Sequence, residues 1–368
     1  MKSGFSILAS LLVISSVYAQ QPEQLLFDAD RLLVSRKYVC FKATQDLNID
    51  GRDDDSDWQD VKFTQPFIDI EGEQEPELLT RVKMLWDDNY FYIYAEMEEP
   101  HIWAKLTEHD AIIYHDNDFE VFIDPDNDGR NYSEIEINAL NTTWDLMLDK
   151  PYRLGGIAND YFEMEEMQHA VYVDGTINDP SDIDRYWSVE LAIPMESILL
   201  AKHRGKKFPR DKDIWRVNFS RVEWDFEISG NNYKRKMSKG KLLPEKNWVW
   251  APQFEINMHI PELWGYVQFS DERADSEIKY QATAEELSRQ VSYELFRRFK
   301  FGDMVHFADR KSNMNYTKHL PPFSVDDQDF AATYYKTPHG FEVIVHNITQ
   351  NRKYMIDESG YLRELGNY

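Results

Sequence analysis

The chain has 368 residues, a formal net charge of −25 at pH 7 and a single cysteine, Cys40. A surface with this much negative charge repels phosphate backbones and anionic lipid. We therefore expect no nucleic-acid partner and no membrane insertion. One cysteine excludes an intrachain disulfide, and the fold must therefore depend on its hydrophobic core. The length allows one large domain or two smaller ones.

Residues 1–19 have the three-part pattern of a secretory signal peptide. Lys2 supplies a positive charge, residues 5–14 form a short apolar run, and residues 17–19 resemble a cleavage site. The run is too short for a stable membrane span. We therefore expect a secreted protein, periplasmic or extracellular at the cell surface, with residues 20–43 as an N-terminal lead-in segment.

From residue 48 to residue 270 the sequence predicts one short strand after another. Residues 81–86 and 90–96 alternate between apolar and polar side chains on either side of an Asp-Asp-Asn turn, which is typical of a hairpin. Further strands are predicted at residues 119–124, 132–138, 187–193, 215–221 and 264–269. Many short strands without a long helix favour an all-β fold, an antiparallel sandwich, over residues 44–270.

Residues 271–368 differ in character and predict a small C-terminal α+β region. Residues 282–298 are amphipathic at helical spacing. The predicted apolar stripe of this helix consists of Leu287, Val291, Leu295 and Phe299. Strands are predicted at residues 341–346 and 353–357, and no pattern in this region indicates chemistry. We interpret it as a tail domain or as a cap on the sandwich edge.

The segment after the strand at residues 119–124 carries carboxylates at alternate positions, Asp124, Asp126 and Asp128. This spacing matches the first half of a helix–loop–helix calcium loop, but Ile135 stands where the last ligand should be glutamate. An oxygen-rich turn still suits a hard cation, so the loop is a candidate structural calcium site, with a plain acidic turn as the alternative. A second acidic loop, residues 50–55, has the same two interpretations.

Several segments in order resemble a family 9 carbohydrate-binding module. Residues 47–51 with Asp57-Trp58 resemble its opening, residues 80–96 its first hairpin, and residues 116–125 its most recognisable strand. The match continues through residues 184–194, 215–223 and 247–250. The resemblance covers residues 44–270 and implies a jelly-roll-like β-sandwich that holds a sugar between two aromatic side chains without cleaving it. It also implies structural calcium and association with glycan-degrading enzymes.

The resemblance implies the sugar-binding residues Tyr114, Glu120, Asn138, Asn247 and Trp250. Two of these would be the aromatic walls, which favour the apolar face of a pyranose, while the carboxylate and the amides would bond its hydroxyls. The chain departs from the family at two positions: Glu136 stands where the family can carry an arginine, and Tyr114 replaces what is often a tryptophan. The remaining strand tryptophans, Trp86, Trp187, Trp215 and Trp264, are assigned to packing.

We therefore predict a secreted, non-catalytic carbohydrate-binding protein that takes part in polysaccharide catabolism, with an oligosaccharide or polysaccharide as its partner. One alternative is a component of a glycan-degrading enzyme, which needs two carboxylates about 5 to 10 Å apart. Another is a haem-binding, DOMON-like electron-transfer sandwich. Its candidate axial ligands are Met258, His259, Met167 and His169. A third is an adhesive surface protein without a small ligand. His101, His109 and His115 fit no zinc spacing and are interpreted as loop residues.

Overall fold

The computed structural model describes Leu33 and residues 36–200, 208–307 and 316–366. The predicted signal peptide, residues 1–19, lies outside the described residues. None of the helices in these ranges is both long enough and apolar enough to span a membrane.

The first part of the chain is built mainly from strands. They are β1 (Lys37–Lys42), β2 (Ile68–Asp69), β3 (Thr80–Trp86), β4 (Tyr90–Glu98), β5 (Asp118–Asp124), β6 (Tyr132–Asn138), β7 (Thr143–Leu148), β8 (Ala158–Asn159) and β9 (Gln168–Asp174). They continue with β10 (Tyr186–Pro194), β11 (Ile214–Glu223), β12 (Phe226–Ile228), β13 (Tyr233–Arg235), β14 (Met237–Ser238), β15 (Lys241–Leu242), β16 (Lys246–Val249) and β17 (Gly265–Ser270). Two short helices lie among them, α1 (Ser56–Gln59) and α2 (Met195–Leu200).

These strands form a curled sheet in the order β8-β7-β6-β5-β11-β17-β1-β3-β4-β10-β9, with β16 and β2 beside β11. Because the sheet curls, its two halves pack against each other across one hydrophobic core. The predicted all-β sandwich is therefore confirmed. Its pairing is antiparallel except at β1, which runs parallel to both β17 and β3.

Alternation of side chains along each strand decides what the core contains. On β5, Phe119, Val121 and Ile123 are fully buried in the core. The residues between them, including Asp118 and Glu120, face the opposite side of the sheet. The same alternation on β6 and β11 gives this half of the sandwich a second face rich in polar groups, to which β7 adds the apolar side chains of Trp144, Leu146 and Leu148.

The end of the predicted lead-in segment, residues 20–43, is part of the sandwich and not a separate segment. Residues Lys37–Lys42 form strand β1, and Cys40 on it is fully buried in the core. The sandwich therefore begins before residue 44. The sequence also gave no prediction for β7 and β9, which lie at or near the open ends of the sheet.

The C-terminal region forms a separate layer with its own core. It consists of α3 (Glu286–Lys300) and the strands β18 (Thr317–His319), β19 (Phe323–Val325), β20 (Gln328–Thr337), β21 (Gly340–Asn347), β22 (Arg352–Asp357) and β23 (Leu362–Leu365). The predicted apolar stripe of the helix is buried against this sheet. Contacts such as Lys37 Nζ to Glu286 Oε1 at 2.7 Å and Gln290 Nε2 to Tyr266 Oη at 3.2 Å join it to β1 and β17.

Gly265 at the start of β17 lies directly under the indole ring of Trp250, and a Cβ at this position would overlap that ring. We expect Gly265→Ala to lower the free energy of unfolding by about 1–3 kcal/mol, as overpacked cores do. Adding Trp250→Phe to the Gly265→Ala chain replaces the indole by a smaller ring and should recover part of the lost stability. Urea unfolding of the two single variants and the double variant measures this. If the loss in the double variant equals the sum of the two single losses, the proposed overlap is wrong.

Candidate functional site

The face of β5, β6, β7 and β16 that points away from the sandwich core lines a cavity of about 460 Å³. Its floor is formed by glutamates of the two central strands. In the register of β5 and β6, Glu120 lies opposite Glu136, and Phe122 lies opposite Glu134. All three glutamates are buried, with exposed fractions of 5, 2 and 6% for Glu120, Glu136 and Glu134. The sheet therefore concentrates negative charge in a place with little water.

Burial is the main cause of the raised pKa values of the carboxyl groups in this floor. It raises the pKa of Glu120 to about 7, and the charge of Glu245 adds to the effect while the Ser220 hydroxyl opposes it. Burial together with the charge of Glu120 also raises the pKa of Glu134 and of Glu136. Each buried carboxylate disfavours the ionisation of its neighbours, so the floor favours bound protons or a cationic partner.

Aromatic side chains form the walls of the cavity. Tyr114 is 36% exposed and lies within a single 3-10 turn, Ile113–His115, and its backbone amide donates to Glu136 Oε2 at 2.8 Å. Trp144 is half-buried and lies opposite Glu136 in the register of β6 and β7. Tyr152, 47% exposed, begins a short 3-10 turn, Tyr152–Leu154. The cavity therefore combines exposed ring faces with hydrogen-bond acceptors.

A histidine holds one wall in place. The ring of Tyr152 packs edge-on against His259, with 4.6 Å between the ring centroids. Nδ1 of His259 lies 3.0 Å from Oη of the buried Tyr132. Burial lowers the pKa of His259 to about 4, so the imidazole is neutral at physiological pH. His259 thus positions Tyr152 without adding charge to the acidic floor.

The structure brings three of the sequence-predicted residues, Tyr114, Glu120 and Asn247, together at the cavity. Asn138 lies outside the lining and is fully buried. Its amide nitrogen donates to the carbonyl of Leu106 at 2.9 Å and to Asp116 Oδ2 at 3.1 Å. Asn138 therefore anchors the loop that leads to Tyr114.

The expectation that Trp250 forms an aromatic wall needs correction. Trp250 is 1% exposed and lies in the sandwich core, with its ring centroid 5.8 Å from that of Phe219. Asn247 faces the cavity, and a residue three positions further along an extended chain points to the opposite side. Trp144 takes the place of Trp250 beside the cavity. The alternation of Trp144 with Leu146 and Leu148 on β7 was the available signal for it.

The acidic loop after β5 has the form of a tight turn. Asp124 Oδ1 and Oδ2 accept hydrogen bonds from the amides of Asn127 and Gly129, at 3.0 and 2.8 Å. Carboxylate oxygens of Asp124, Asp126 and Asp128 lie within 4.8 Å of one another. Burial, and then the charges of Asp128 and Asp126, raise the pKa of Asp124. An oxygen-only group of this size fits calcium, which is bound by six to eight oxygens at about 2.3–2.6 Å.

The second acidic loop is committed to contacts within the protein. Asp53 Oδ2 pairs with Lys83 Nζ at 2.7 Å, and Asp55 Oδ2 accepts from the amide of Asn48 at 2.8 Å. The amides of Asp50 and Gly51 donate to Glu190 Oε2. These contacts favour the interpretation of residues 50–55 as a structural acidic turn.

The loop histidines have different partners. Nδ1 of His101 lies 3.0 Å from Tyr233 Oη, and the ring of His115 packs against Tyr114 at 4.8 Å between centroids. Nε2 of His109 lies 3.1 Å from Glu163 Oε2, at the mouth of a second cavity that His169 also lines. This second cavity is more polar and has no exposed aromatic wall.

The raised pKa of Glu120 makes stability depend on pH. The unfolded carboxyl ionises near pH 4.5, whereas the folded one ionises near pH 7, so folding takes up a proton between these values. The contribution of Glu120 to stability is complete below pH 4.5 and is lost as the pH rises through 7. In a chelating buffer we expect Glu120→Gln to raise the melting temperature at pH 8 and to change it little at pH 4.5.

The exposed Glu227 on β12 provides a matched control for this measurement. Glu227→Gln should change the melting temperature by the same small amount at both pH values. An equal effect of Glu120→Gln at pH 4.5 and pH 8 would contradict the assignment of a burial-shifted carboxyl.

The family profile described as carbohydrate family 9 binding domain-like matches residues 49–206. No curated protein matches the chain. Among solved structures, the chain is similar to a family 9 carbohydrate-binding module from Caldicellulosiruptor kristjanssonii in complex with cellotriose, with 17% identity and a TM-score of 0.42 over 67% of this chain and 100% of the other. The glucose complex gives 16% identity and a TM-score of 0.41 over 66% of this chain and 100% of the other. Residues 49–206 are therefore similar to the carbohydrate family 9 binding domain-like family.

Proposed function

We propose that the chain binds carbohydrate, without cleaving it, in the cavity over β5, β6, β7 and β16. The observation that carries this proposal is the combination of the ring faces of Tyr114 and Trp144 with the acceptors of Glu120 in one cavity. A pyranose has an apolar C–H face that packs on an aromatic ring and hydroxyls that donate to carboxylates. The Asn247 amide both donates and accepts, as a hydroxyl does.

The raised pKa values of the floor carboxyl groups favour a role in binding over a role in hydrolysis. A glycosidase separates the pKa values of its two carboxyl groups, so that one is protonated while the other is ionised. Here burial raises the pKa of Glu120, Glu134 and Glu136 in the same direction. The raised pKa values disfavour the ionised carboxylate that would have to act as nucleophile or base in hydrolysis.

The candidate haem ligands are divided between two cavities. Met258 and His259 line the cavity over β5, β6, β7 and β16, and His259 forms a hydrogen bond with Tyr132. Met167 and His169 line the second cavity, where Nδ1 of His169 lies 2.8 Å from Asn141 Oδ1. Pairing across a single haem would require these groups to face one another, so this placement favours the carbohydrate proposal.

The proposal includes a cellular role. The signal-like residues 1–19 support export to the periplasm or the cell surface. There the chain would hold an oligosaccharide or polysaccharide for glycan-degrading enzymes, as part of carbohydrate catabolism. Its binding energy would keep substrate near those enzymes without any chemistry of its own.

Removal of either ring should weaken sugar binding. By analogy with aromatic pairs, each ring contributes on the order of 1 kcal/mol, which corresponds to about a five-fold change in Kd. Isothermal titration with a panel of soluble oligosaccharides, including glucose and cellotriose, would first identify a ligand. Trp144→Ala and Tyr114→Ala should then each raise its Kd about five-fold or more.

The half-buried Tyr335 of the C-terminal sheet serves as the control aromatic residue. Tyr335→Ala should leave the Kd unchanged. If no sugar of the panel produces heat at millimolar concentration, the proposed function is wrong. If Tyr335→Ala weakens binding as strongly as Trp144→Ala, the proposed site is wrong.

We also propose that Asp124, Asp126 and Asp128 hold a structural calcium ion. The ion would neutralise three adjacent carboxylates and fix the turn between β5 and β6. The carbonyl of Asn127 in this turn accepts a hydrogen bond from Arg289 of α3, so the turn also contacts the C-terminal layer. A fixed turn would therefore support both layers of the protein.

Calcium should raise the melting temperature of the native chain through this loop. A ligand at 100 times its Kd stabilises the folded state by about 2.7 kcal/mol. Asp126→Asn removes one ligand charge and should abolish most of this gain, whereas Asp88→Asn, on an exposed turn, should keep it. Thermal scans with and without calcium provide the measurement. An undiminished gain in Asp126→Asn would show that the ion binds elsewhere.

A further inference from the structure

Two glutamates of the cavity floor form a group with a third carboxylate, which lies beneath them. The group consists of Asp118 and Glu120 on β5 and Glu136 on β6, called the floor triad below. Their carboxylate oxygens lie within 4.8 Å of one another. Asp118 is fully buried, and the two glutamates are 95% buried or more. The adjacent strands thus hold three acids side by side out of contact with bulk water.

The floor triad has little to compensate its charge. Over residues 36–200, 208–307 and 316–366, no lysine, arginine or histidine forms an ion pair with any of the three acids. Neither oxygen of Asp118 nor Oε2 of Glu120 has a hydrogen-bond partner of normal geometry. The Val222 amide and the Ser220 hydroxyl lie near enough to favour ionisation, but the triad still lacks a cationic neighbour.

A neutral oxygen lies beside the triad. Ser220 on β11 pairs with Glu120 in the strand register, is fully buried, and its Oγ has no hydrogen-bond partner of normal geometry. A buried hydroxyl that approaches a carboxylate without a hydrogen bond of normal geometry is poorly satisfied and requires an explanation. Asp118, Glu120, Glu136 and Ser220 together present only oxygen atoms, which is the donor chemistry of hard divalent cations.

The spacing of the triad suits a single ion. Calcium–oxygen distances are about 2.3–2.6 Å, so two ligands on opposite sides of one ion lie about 4.6–5.2 Å apart. Oxygens that lie within 4.8 Å of one another can therefore all reach the same calcium ion. Burial of three carboxylates becomes favourable when a cation pairs with them, since buried charges are stable only when paired or metal-bound.

We propose that Asp118, Glu120 and Glu136 bind a calcium ion at the floor of the cavity, with Ser220 as a neutral ligand. Glu120 and Glu136 also line the cavity, so the ion lies between the sheet and the space for the ligand. If the proposed carbohydrate function holds, sugar hydroxyls complete the coordination of the ion. Sugar binding at this cavity then depends on calcium.

The ion is tested first without sugar, in full-length chains that carry Asp126→Asn to remove the loop site. Equilibrium dialysis with calcium at pH 7.5, followed by metal analysis, should give one ion per chain. Asp118→Asn in this background should reduce the count to none, because it removes a ligand charge but keeps the side-chain shape. Glu134→Gln is the matched control, because Glu134 is equally buried on the same strand face but lies outside the triad.

The melting temperature in the presence of a chelator checks that the variants fold. The melting temperature of the Asp118→Asn variant should equal or exceed that of its parent chain, because an unpaired buried charge is removed. Retention of one ion by Asp118→Asn, or loss of the ion in Glu134→Gln, would overturn the site. So would the absence of any ion from the Asp126→Asn parent chain at millimolar calcium.

The second arm uses the sugar identified by titration. A chelator should weaken its binding to the Asp126→Asn chain at least tenfold, and should have no further effect on Asp118→Asn. Calcium binding by the triad together with chelator-independent sugar binding would overturn the link between ion and sugar. If no sugar binds at all, the carbohydrate function fails, while the ion count still decides the triad.

Discussion

The packing of apolar strand faces across the sandwich core is the constraint on which the rest of the molecule depends. Once Phe119, Val121 and Ile123 enter the core, the period of the strand forces Asp118 and Glu120 to the other side. The same holds for Ile135 and Ile137 relative to Glu134 and Glu136. The acidic floor is thus fixed by the core behind it, and a one-residue slip in register would exchange the two faces.

The acids on this face reduce stability in the absence of a partner, and the core must offset that cost. Buried carboxylates without counter-charge are rarely retained for stability, and strained or unpaired groups concentrate where ligands bind. Another group of buried charges in the sandwich is better compensated. Arg221 contacts Glu99 and Glu223 at 2.8 and 2.9 Å, so that network is closed within the protein. The contrast separates structural charges from those available to a ligand.

Much of the fold could be predicted from sequence because local alternation is strong in its central strands. The predicted strands at residues 81–86, 119–124 and 215–221 lie within β3, β5 and β11, and the stripe of α3 is buried as expected. β1 was missed because its pairing partners lie far away in sequence. Of the sequence-predicted site residues, Tyr114, Glu120 and Asn247 line the cavity. Trp250 lies in the core instead, because it is three positions from Asn247 along an extended chain and so points to the opposite side. Tyr152 and His259 come from separate loops and carry no local signal.

The parallel pairing of β1 has a consequence for how the chain reaches its final form. Residues Lys37–Phe41 pair with Tyr266–Ser270, so one edge of β1 remains open until nearly the whole sandwich has been synthesised. Contacts between such distant segments form slowly, because a long loop must close first. Cys40 lies opposite Phe269 in this register and is fully buried in the finished protein. The accessibility of this single thiol therefore reports on the pairing of β1 with β17: the thiol can react before the two strands pair and is protected afterwards.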